Sequence, residues 1–284
     1  MIDYLAIGHL AVDHRLARGP VVGGSVAYAS ITATRLGQRA GIVTVADEEL
    51  EWPNALAGVE MRIISTPAST GFENLYRRGK RIQRVLAVAP HVPAEAVPEE
   101  WKRCPVVHLA PIVHEVDGSF PGLFTGSLIA LTPQGLLRHW DEGGRVRQGA
   151  WSGDDRLLAG ANVVIFSEED LAGDPGFLPL CLERVPITLL THGAKGVTLF
   201  TRGQPTHLPA FPTTEVDPTG AGDVFAASFL VEYHRTRDPL RSAAFACCAA
   251  SFAVERIGLE GVQDRAAVEE RLKTYENSGL RTEG

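Results

Sequence analysis

Short, continuous apolar runs alternate with helix-period segments along most of the chain, and this alternation constrains the fold more than any other feature. Tyr4-Leu5-Ala6-Ile7 is the first run, stopped by Gly8. Residues 25–36 follow with helical spacing. Val26, Ala29, Ile31, Ala33 and Leu36 form their expected buried face, and Gly37 supplies a stop. Gly41-Ile42-Val43-Thr44-Val45 is the next run, and others fall at 106–109, 127–131, 163–166, 187–191 and 197–200. Strands wetted on one face alternate apolar with polar residues. Most of these runs do not, so they predict strands covered on both faces. The order strand, helix, strand predicts an α/β fold with a mostly parallel sheet and right-handed crossovers. The C-terminal part reads as helices only, near 221–235, 239–255 and 264–275. The middle one places Leu240, Ala243, Ala244, Cys247, Ala250 and Val254 at core spacing.

Composition excludes several classes. The chain has 284 residues and a formal net charge of −7, with no basic block. That is a poor match to the phosphate backbone of nucleic acids or to an anionic membrane surface. No apolar stretch approaches the roughly 20 residues needed to span a bilayer. Met1-Ile2-Asp3 carries an acid where a signal peptide carries bases. The four cysteines form no C-x-x-C pair, and the nine histidines include no H-E-x-x-H. A cytoplasmic protein with reduced thiols is the expectation. The length suits one large domain, and no repeat or long linker divides it.

Residues 71–88 break the α/β pattern. Gly71-Phe72-Glu73-Asn74-Leu75-Tyr76 and Arg81-Ile82-Gln83-Arg84-Val85-Leu86 read as two half-exposed strands around a turn containing Gly79. A hairpin inserted in such a chain forms either a lid or a plain surface ribbon.

Candidate chemistry concentrates in Val216-Asp217-Pro218-Thr219-Gly220-Ala221-Gly222-Asp223-Val224-Phe225, which runs into a long apolar helix. The first N–H groups of a helix have no internal partner, and with the helix dipole they make an anion site. Gly220, Ala221 and Gly222 are thus candidate amide donors to a phosphate. Asp223 is a candidate general base for an attacking hydroxyl. Taken alone, the same residues also fit a capped helix after a turn. Phe225 stands where a G-x-G-x-x-G fingerprint needs its third glycine, and the chain has no Walker A loop. A second cluster is Gly23-Gly24 before the first helix, preceded by Asp13. Paired glycines let the backbone touch a small polar ligand, and a carboxylate accepts hydrogen bonds from hydroxyls. Ser25 lacks the second glycine of a nucleophile elbow, where Ala27 stands, which argues against a hydrolase.

With both clusters in view, the chain resembles the ribokinase-like, or pfkB-type, carbohydrate kinases. Gly23-Gly24 through Arg35-Leu36-Gly37 looks like that family's N-terminal signature. Residues 216–227 are similar to its C-terminal signature, which is the more diagnostic. The resemblance spans nearly the whole chain. It implies a three-layer α/β sandwich with a mostly parallel central sheet, and a small β lid built from about 11–22 and 71–88. It implies Asp223 as base, Gly220, Ala221 and Gly222 as the anion hole, and Asp13, Gly23 and Gly24 as substrate contacts. Asp217 matches a position that in some members helps hold a monovalent cation such as potassium. Thr191-His192-Gly193-Ala194-Lys195-Gly196 is similar to the nucleotide-side loop, which puts Thr191, Gly193 and Gly196 beside the nucleotide. ATP is the implied donor, magnesium the implied metal, and pairing of lids the implied route to a homodimer.

Two positions depart from the family pattern. An asparagine that commonly contacts substrate is replaced by Tyr28, whose bulk alters a pocket for ribose or fructose. The N-x-x-E motif that orders magnesium and phosphates falls at Ser167-Glu168-Glu169-Asp170. Asp170 keeps the charge, and Ser167 is equally a good helix cap. Thr132-Pro133-Gln134-Gly135-Leu136-Leu137-Arg138 stands where many members carry Asp-x-Asn-x-Arg, and looks more like an inositol-kinase-type branch. Arg138 is expected either to reach phosphate or substrate, or to begin a helix at the surface. The leading expectation is an ATP-dependent kinase of a sugar or cyclitol hydroxyl. Alternatives are a nucleoside or vitamin-precursor kinase, with Tyr28 and Phe72 stacking on a base, and a sugar-binding sensor without catalysis.

Overall fold

The computed structural model describes residues 1–15, 19–77 and 80–277. The turn expected at Gly79 lies outside the described residues. Every expected apolar run forms a strand of one large sheet. These are β1 (Tyr4–Ile7), β4 (Ala40–Ala46), β8 (Val106–Leu109), β9 (Leu128–Leu131), β12 (Val163–Ser167), β13 (Ile187–Thr191) and β14 (Val197–Thr201). Two further strands complete it, β5 (Glu60–Ser65) and β15 (Gln204–Leu208). Among the described residues the order is β15-β14-β13-β12-β9-β8-β1-β4-β5. All neighbours from β13 to β5 are parallel, while β14 and β15 form an antiparallel edge.

Alternation along each central strand assigns its residues to two opposite cores. Tyr4 and Ala6 of β1 face one core, and Leu5 and Ile7 face the other. The same parity holds for Val106 against Val107 in β8, Ala130 against Leu131 in β9, and Ile165 against Val164 in β12. Successive strand side chains point to opposite faces, so a strand buried on both sides is apolar at most positions, with Thr44, His108 and Thr188 the buried polar exceptions in these strands. That is why these segments read as unbroken runs. The first core is closed by α1 (Ser25–Arg35), α4 (Ala221–Thr236) and α5 (Pro239–Ala253). The second is closed by α2 (Asp155–Gly160) and α3 (Phe177–Arg184). The result is the three-layer arrangement.

Helix ends follow local chemistry. At the end of α1, Gln38 N–H donates to Ala33 O and Gly37 N–H to Thr34 O, the crossed bonds of a Schellman turn. At the start of α5, the Asp238 carboxylate accepts the Leu240 and Arg241 amides, with Pro239 in the first turn. One expectation fails there: Leu240 is 49% exposed. The first turn of α5 lies beyond the edge of the core, and burial begins at Ser242 and Ala243. No helix among the described residues is long and apolar enough to cross a membrane. All four cysteines are free and buried, and burial raises the Cys104 and Cys247 thiols to about 12.

A separate four-stranded sheet, ordered β3-β2-β6-β7, is built from β2 (Ala11–Arg15), β3 (Gly19–Gly23), β6 (Thr70–Arg77) and β7 (Lys80–Ala87). These are the segments expected to form the lid. Its inner side rests on a small core of Ala11, Phe72, Ile112 and Val113. Hydrogen bonds fasten its roots to the large sheet. His9 Nε2 meets Pro90 O at 2.8 Å, so that nitrogen carries the hydrogen and Nδ1 accepts from Thr70 Oγ1 at 2.8 Å. Thr70 Oγ1 in turn accepts the Ala89 amide. Burial lowers the His9 pKa, which keeps the ring in this neutral form. The buried Glu115 carboxylate accepts the amides of His9, Ile112 and Val113 at 2.7–2.9 Å. The entry before β2 and both ends of the β6–β7 segment are therefore held by satisfied buried polar groups.

Candidate active site

A cavity of about 1260 Å³ lies between the lid, the ends of the central strands and the start of α4. Ligands of parallel α/β sheets sit beyond the carboxyl ends of the strands. Here Thr132 after β9, Ser167 at the end of β12 and Thr191 at the end of β13 all line the cavity. Both glycine clusters reach it, although they are far apart in sequence.

The C-terminal cluster opens α4. Gly220 adopts φ +80° with no side-chain cap, and Asp223 falls in the first turn. Gly220, Ala221, Gly222 and Asp223 all line the cavity. The Ala221 amide also donates to Pro218 O at 3.2 Å and closes the preceding turn. Gly220 is required on two counts. Its φ disfavours any side chain, and an added Cβ would stand 2.2 Å from Cε1 of Tyr28. The Tyr28 phenol is thus packed against the Gly220 turn, joining the two glycine clusters physically. Asp217 sits behind that turn and outside the cavity lining. Its Oδ1 accepts the Thr219 amide at 3.0 Å and its Oδ2 the Gly258 amide at 3.2 Å.

The N-terminal cluster contributes Gly24, and Asp13 from β2 in the lid sheet. Gly24 has φ +92°, and a Cβ there would approach His9 O to 2.9 Å. Asp13 Oδ1 accepts a hydrogen bond from Asn74 Nδ2 at 3.0 Å, and Asn74 accepts one from Gln83 Nε2 at 3.3 Å. Gly23 does not line the cavity; a Cβ added there would meet Asp13 and Tyr28 at ordinary contact distance. Phe72 and Tyr28 both line this end.

Arg138 opens β10 (Arg138–Trp140), a strand paired with β11 (Val146–Gln148), rather than an exposed helix. It is 9% exposed and lines the cavity, which removes the surface alternative. At the other end, Ser167 N–H and Oγ both donate to Asp170 Oδ2, at 2.9 and 2.7 Å. Ser167 therefore braces Asp170 rather than capping a long helix. Asp170 is 3% exposed, and its Oδ1 has no hydrogen-bond partner although it lines the cavity. A buried carboxylate oxygen without a donor is costly unless a cation or its waters serve it, so this residue fits a metal-linked role. Among the described residues no three ligating side chains converge. Asp217, with both oxygens on backbone amides, fits a bracing role better than that of a cation ligand. Thr191, Gly193 and Gly196 also line this end.

The sequence reading missed several contributors. His192 joins Glu168 through Nδ1 at 2.6 Å and Thr198 Oγ1 through Nε2 at 2.8 Å. Both His192 and Glu168 line the cavity. Their signal was positional: each follows the last apolar residues of neighbouring parallel strands. Glu168, Glu169, Asp170, Glu215, Asp13 and Asp223 all face the cavity, with Arg138 as its guanidinium. An anionic ligand here depends on amides and cations rather than on the general field of the protein.

The pfkB family carbohydrate kinase model matches residues 148–264. The cytidine kinase of Thermococcus kodakarensis is 25% identical over 261 residues, covering 84% of this chain and 90% of that protein. A pyrophosphate-dependent kinase in the ribokinase family, solved with a pyrophosphate analog and myo-inositol, superposes with a TM-score of 0.77. It is 19% identical and covers 94% of this chain and 99% of that one. Arabidopsis thaliana ribokinase with ribose and ATP gives a TM-score of 0.72 at 19% identity, over 96% of this chain and 99% of that one. At such identities the two structures establish a shared fold.

Proposed function

We propose, from the premise that this chain is a ribokinase-like (pfkB-type) carbohydrate kinase and so a phosphotransferase with an alcohol acceptor, that it phosphorylates a hydroxyl of a small sugar or cyclitol. The observation that carries the proposal is a single cavity lined at once by Asp13, Gly24 and the Gly220-to-Asp223 turn. Asp13 and the Gly24 backbone hold the acceptor. Asp223 takes the proton of the attacking hydroxyl, and the new O–P bond forms in line as the bond to the donor's leaving oxygen breaks. The amides of the Gly220-to-Gly222 turn receive the charge on the transferring phosphoryl group. Ser167, Asp170, Thr191, Gly193 and Gly196 belong to the donor end, with ATP as donor. Magnesium, when bound, neutralises phosphate charge, and Asp170 is the residue that would orient its waters. The lid sheet covers the acceptor and excludes water. No step is routed through potassium. A myo-inositol complex among the structural neighbours supports a cyclitol acceptor.

A second reading is a nucleoside kinase. Phe72 at the acceptor end and the similarity to a cytidine kinase favour it. Tyr28 contributes less to stacking, because one part of its ring is covered by Gly220. Initial rates with inositols, hexoses, pentoses and nucleosides, each with ATP and with pyrophosphate, separate the readings. Turnover confined to nucleosides rejects the sugar or cyclitol assignment. Dimerisation through the lid is part of the proposal: Val21 on edge strand β3 and Leu86 on edge strand β7 are exposed. Sedimentation of a Leu86→Lys, Val21→Lys chain as a monomer, against a wild-type dimer, is the expected result.

A further inference from the structure

A buried polar chain runs from the first core to the middle of the cavity. Tyr4 on β1 and His108 on β8 are both 0% exposed, and Tyr4 Oη lies 2.7 Å from His108 Nδ1. His108 Nε2 lies 3.0 Å from Oγ1 of Thr132, the residue that follows β9 and lines the cavity. The three residues share one face of the sheet, the face on which α4 packs against β8, β9 and β12. Thr132 therefore lines the cavity at the end of β9, which lies between β12 and β8 in the sheet.

The chain has a sense. If His108 donated from Nδ1, the Tyr4 hydroxyl hydrogen would be sealed in the core without an acceptor, since His108 is its only hydrogen-bond partner among the described residues. A buried donor left unpaired bears its full desolvation cost. With Tyr4 donating to Nδ1, the imidazole must carry its hydrogen on Nε2 and donate it to Thr132 Oγ1. Burial supports the neutral ring by lowering the His108 pKa to about 3. The phenol stays protonated, because burial first and the charge of Asp223 next raise its pKa well above the usual value. A lone pair of Thr132 Oγ1 is thus taken from beneath, and its own hydrogen is turned toward the cavity.

We propose that Thr132 is a specificity-determining residue, held by Tyr4 and His108 as a hydrogen-bond donor to a ligand oxygen bound in the cavity. That oxygen belongs to the acceptor or to the transferring phosphoryl group. A free threonine hydroxyl can donate or accept, but this one is biased to donate. It favours a ligand that offers a lone pair at that point over one that offers only an N–H, because accepting the N–H would turn the hydroxyl hydrogen away from its acceptor. The assignment of the ligand rests on the kinase reading; the orientation of the chain does not.

The test uses the full chain with Thr132→Val, Tyr4→Phe and the double variant. Thr132→Val is expected to lower kcat/KM by about 10- to 100-fold, the effect of losing one oriented donor. A fall in kcat assigns the phosphoryl oxygen, and a rise in the acceptor KM assigns the acceptor. Tyr4→Phe, which does not touch the cavity, should give a smaller loss of the same kind and add nothing to Thr132→Val. Nitrogen-15 NMR of histidine-labelled wild type should show a buried Nε2–H tautomer, and Tyr4→Phe should perturb that ring. An Nδ1–H tautomer, wild-type kinetics in Thr132→Val, or a full additive loss from Tyr4→Phe overturns the proposal. A wild-type chain that transfers no phosphoryl group to any acceptor defeats the kinase reading instead, and the tautomer measurement then decides the orientation by itself.

Discussion

At its first turn, α4 starts on a left-handed glycine with no side-chain cap, and Ala221, Gly222 and Asp223 open onto the cavity. Near the last turn of the same 16-residue helix, Glu232 is almost fully buried and surrounded by arginines. Arg235 reaches its oxygens at 2.7 and 3.0 Å, Arg265 at 2.8 Å and Arg241 at 3.3 Å. Arg265 also lies over the Phe245 ring, tying α4 to α5 and to α6 (Arg265–Asn277). Both ends place charge as the helix dipole prefers, an acid at the start and a base in the last turn. They differ in what satisfies their polar groups. The first turn opens onto the cavity, whereas the buried carboxylate near the last turn is met by protein side chains. The comparison teaches that one rigid element supports both tasks by separating them along its length.

The largest expected effect tests the functional end. Asp223→Asn should lower kcat by about 1000-fold or more, the upper part of the range for a general base, and leave the thermal midpoint near wild type. A variant with near-wild-type turnover removes Asp223 from the mechanism. The opposite pattern is expected at the other end. Glu232→Ala leaves Arg265 without its buried partner and should cost about 3 kcal/mol in urea unfolding, with kcat/KM unchanged in the folded protein. A large activity loss without a stability loss would erase the distinction between the ends. Gly220→Ala should affect both properties. Its φ and its collision with Tyr28 should cost about 2 kcal/mol, and the displaced amides should lower kcat.

Acid unfolding sharpens the stability side. Burial pushes the Glu232 carboxyl up, but hydrogen bonds and charge from Arg235 and Arg265 outweigh it and hold the pKa below its ordinary value. A depressed carboxylate adds stability that is present above the unfolded-state pKa and lost as pH falls through the lowered folded value. Urea midpoints measured from neutral pH downward should therefore fall less steeply in Glu232→Gln than in wild type. The smallest effect belongs to Arg241, whose side chain is 58% exposed. Arg241→Ala should change stability by less than about 1 kcal/mol, and a larger loss would make the network an all-or-none unit.

Legibility in the sequence followed burial. The boundaries of β1, β8 and β13 coincide with the apolar runs, because strands buried on both faces admit little else. Edge strands escaped that logic. β5 mixes exposed and half-buried positions with none buried, and β15 is exposed at four of its five residues. Short α2 and α3 gave too few turns for a helical period. Leu240 fitted the α5 period, yet the helix begins before its core does. At the site, the glycine motifs and Asp13, Tyr28, Arg138, Ser167 and Asp170 were all visible as residues. Their mutual placement was not.

What the sequence determined by itself was therefore the layer plan and the location of the glycine-bearing turns. Both depend on local rules: two-sided burial of a strand, and the conformations open to glycine. Tertiary structure decided that Tyr28 would close over Gly220 across nearly two hundred positions of chain, and that Tyr4 and His108 would orient Thr132. It also decided that Arg138 would be buried and Leu240 exposed. These outcomes depend on which strands become neighbours and on where each core ends, and no local pattern carries that information.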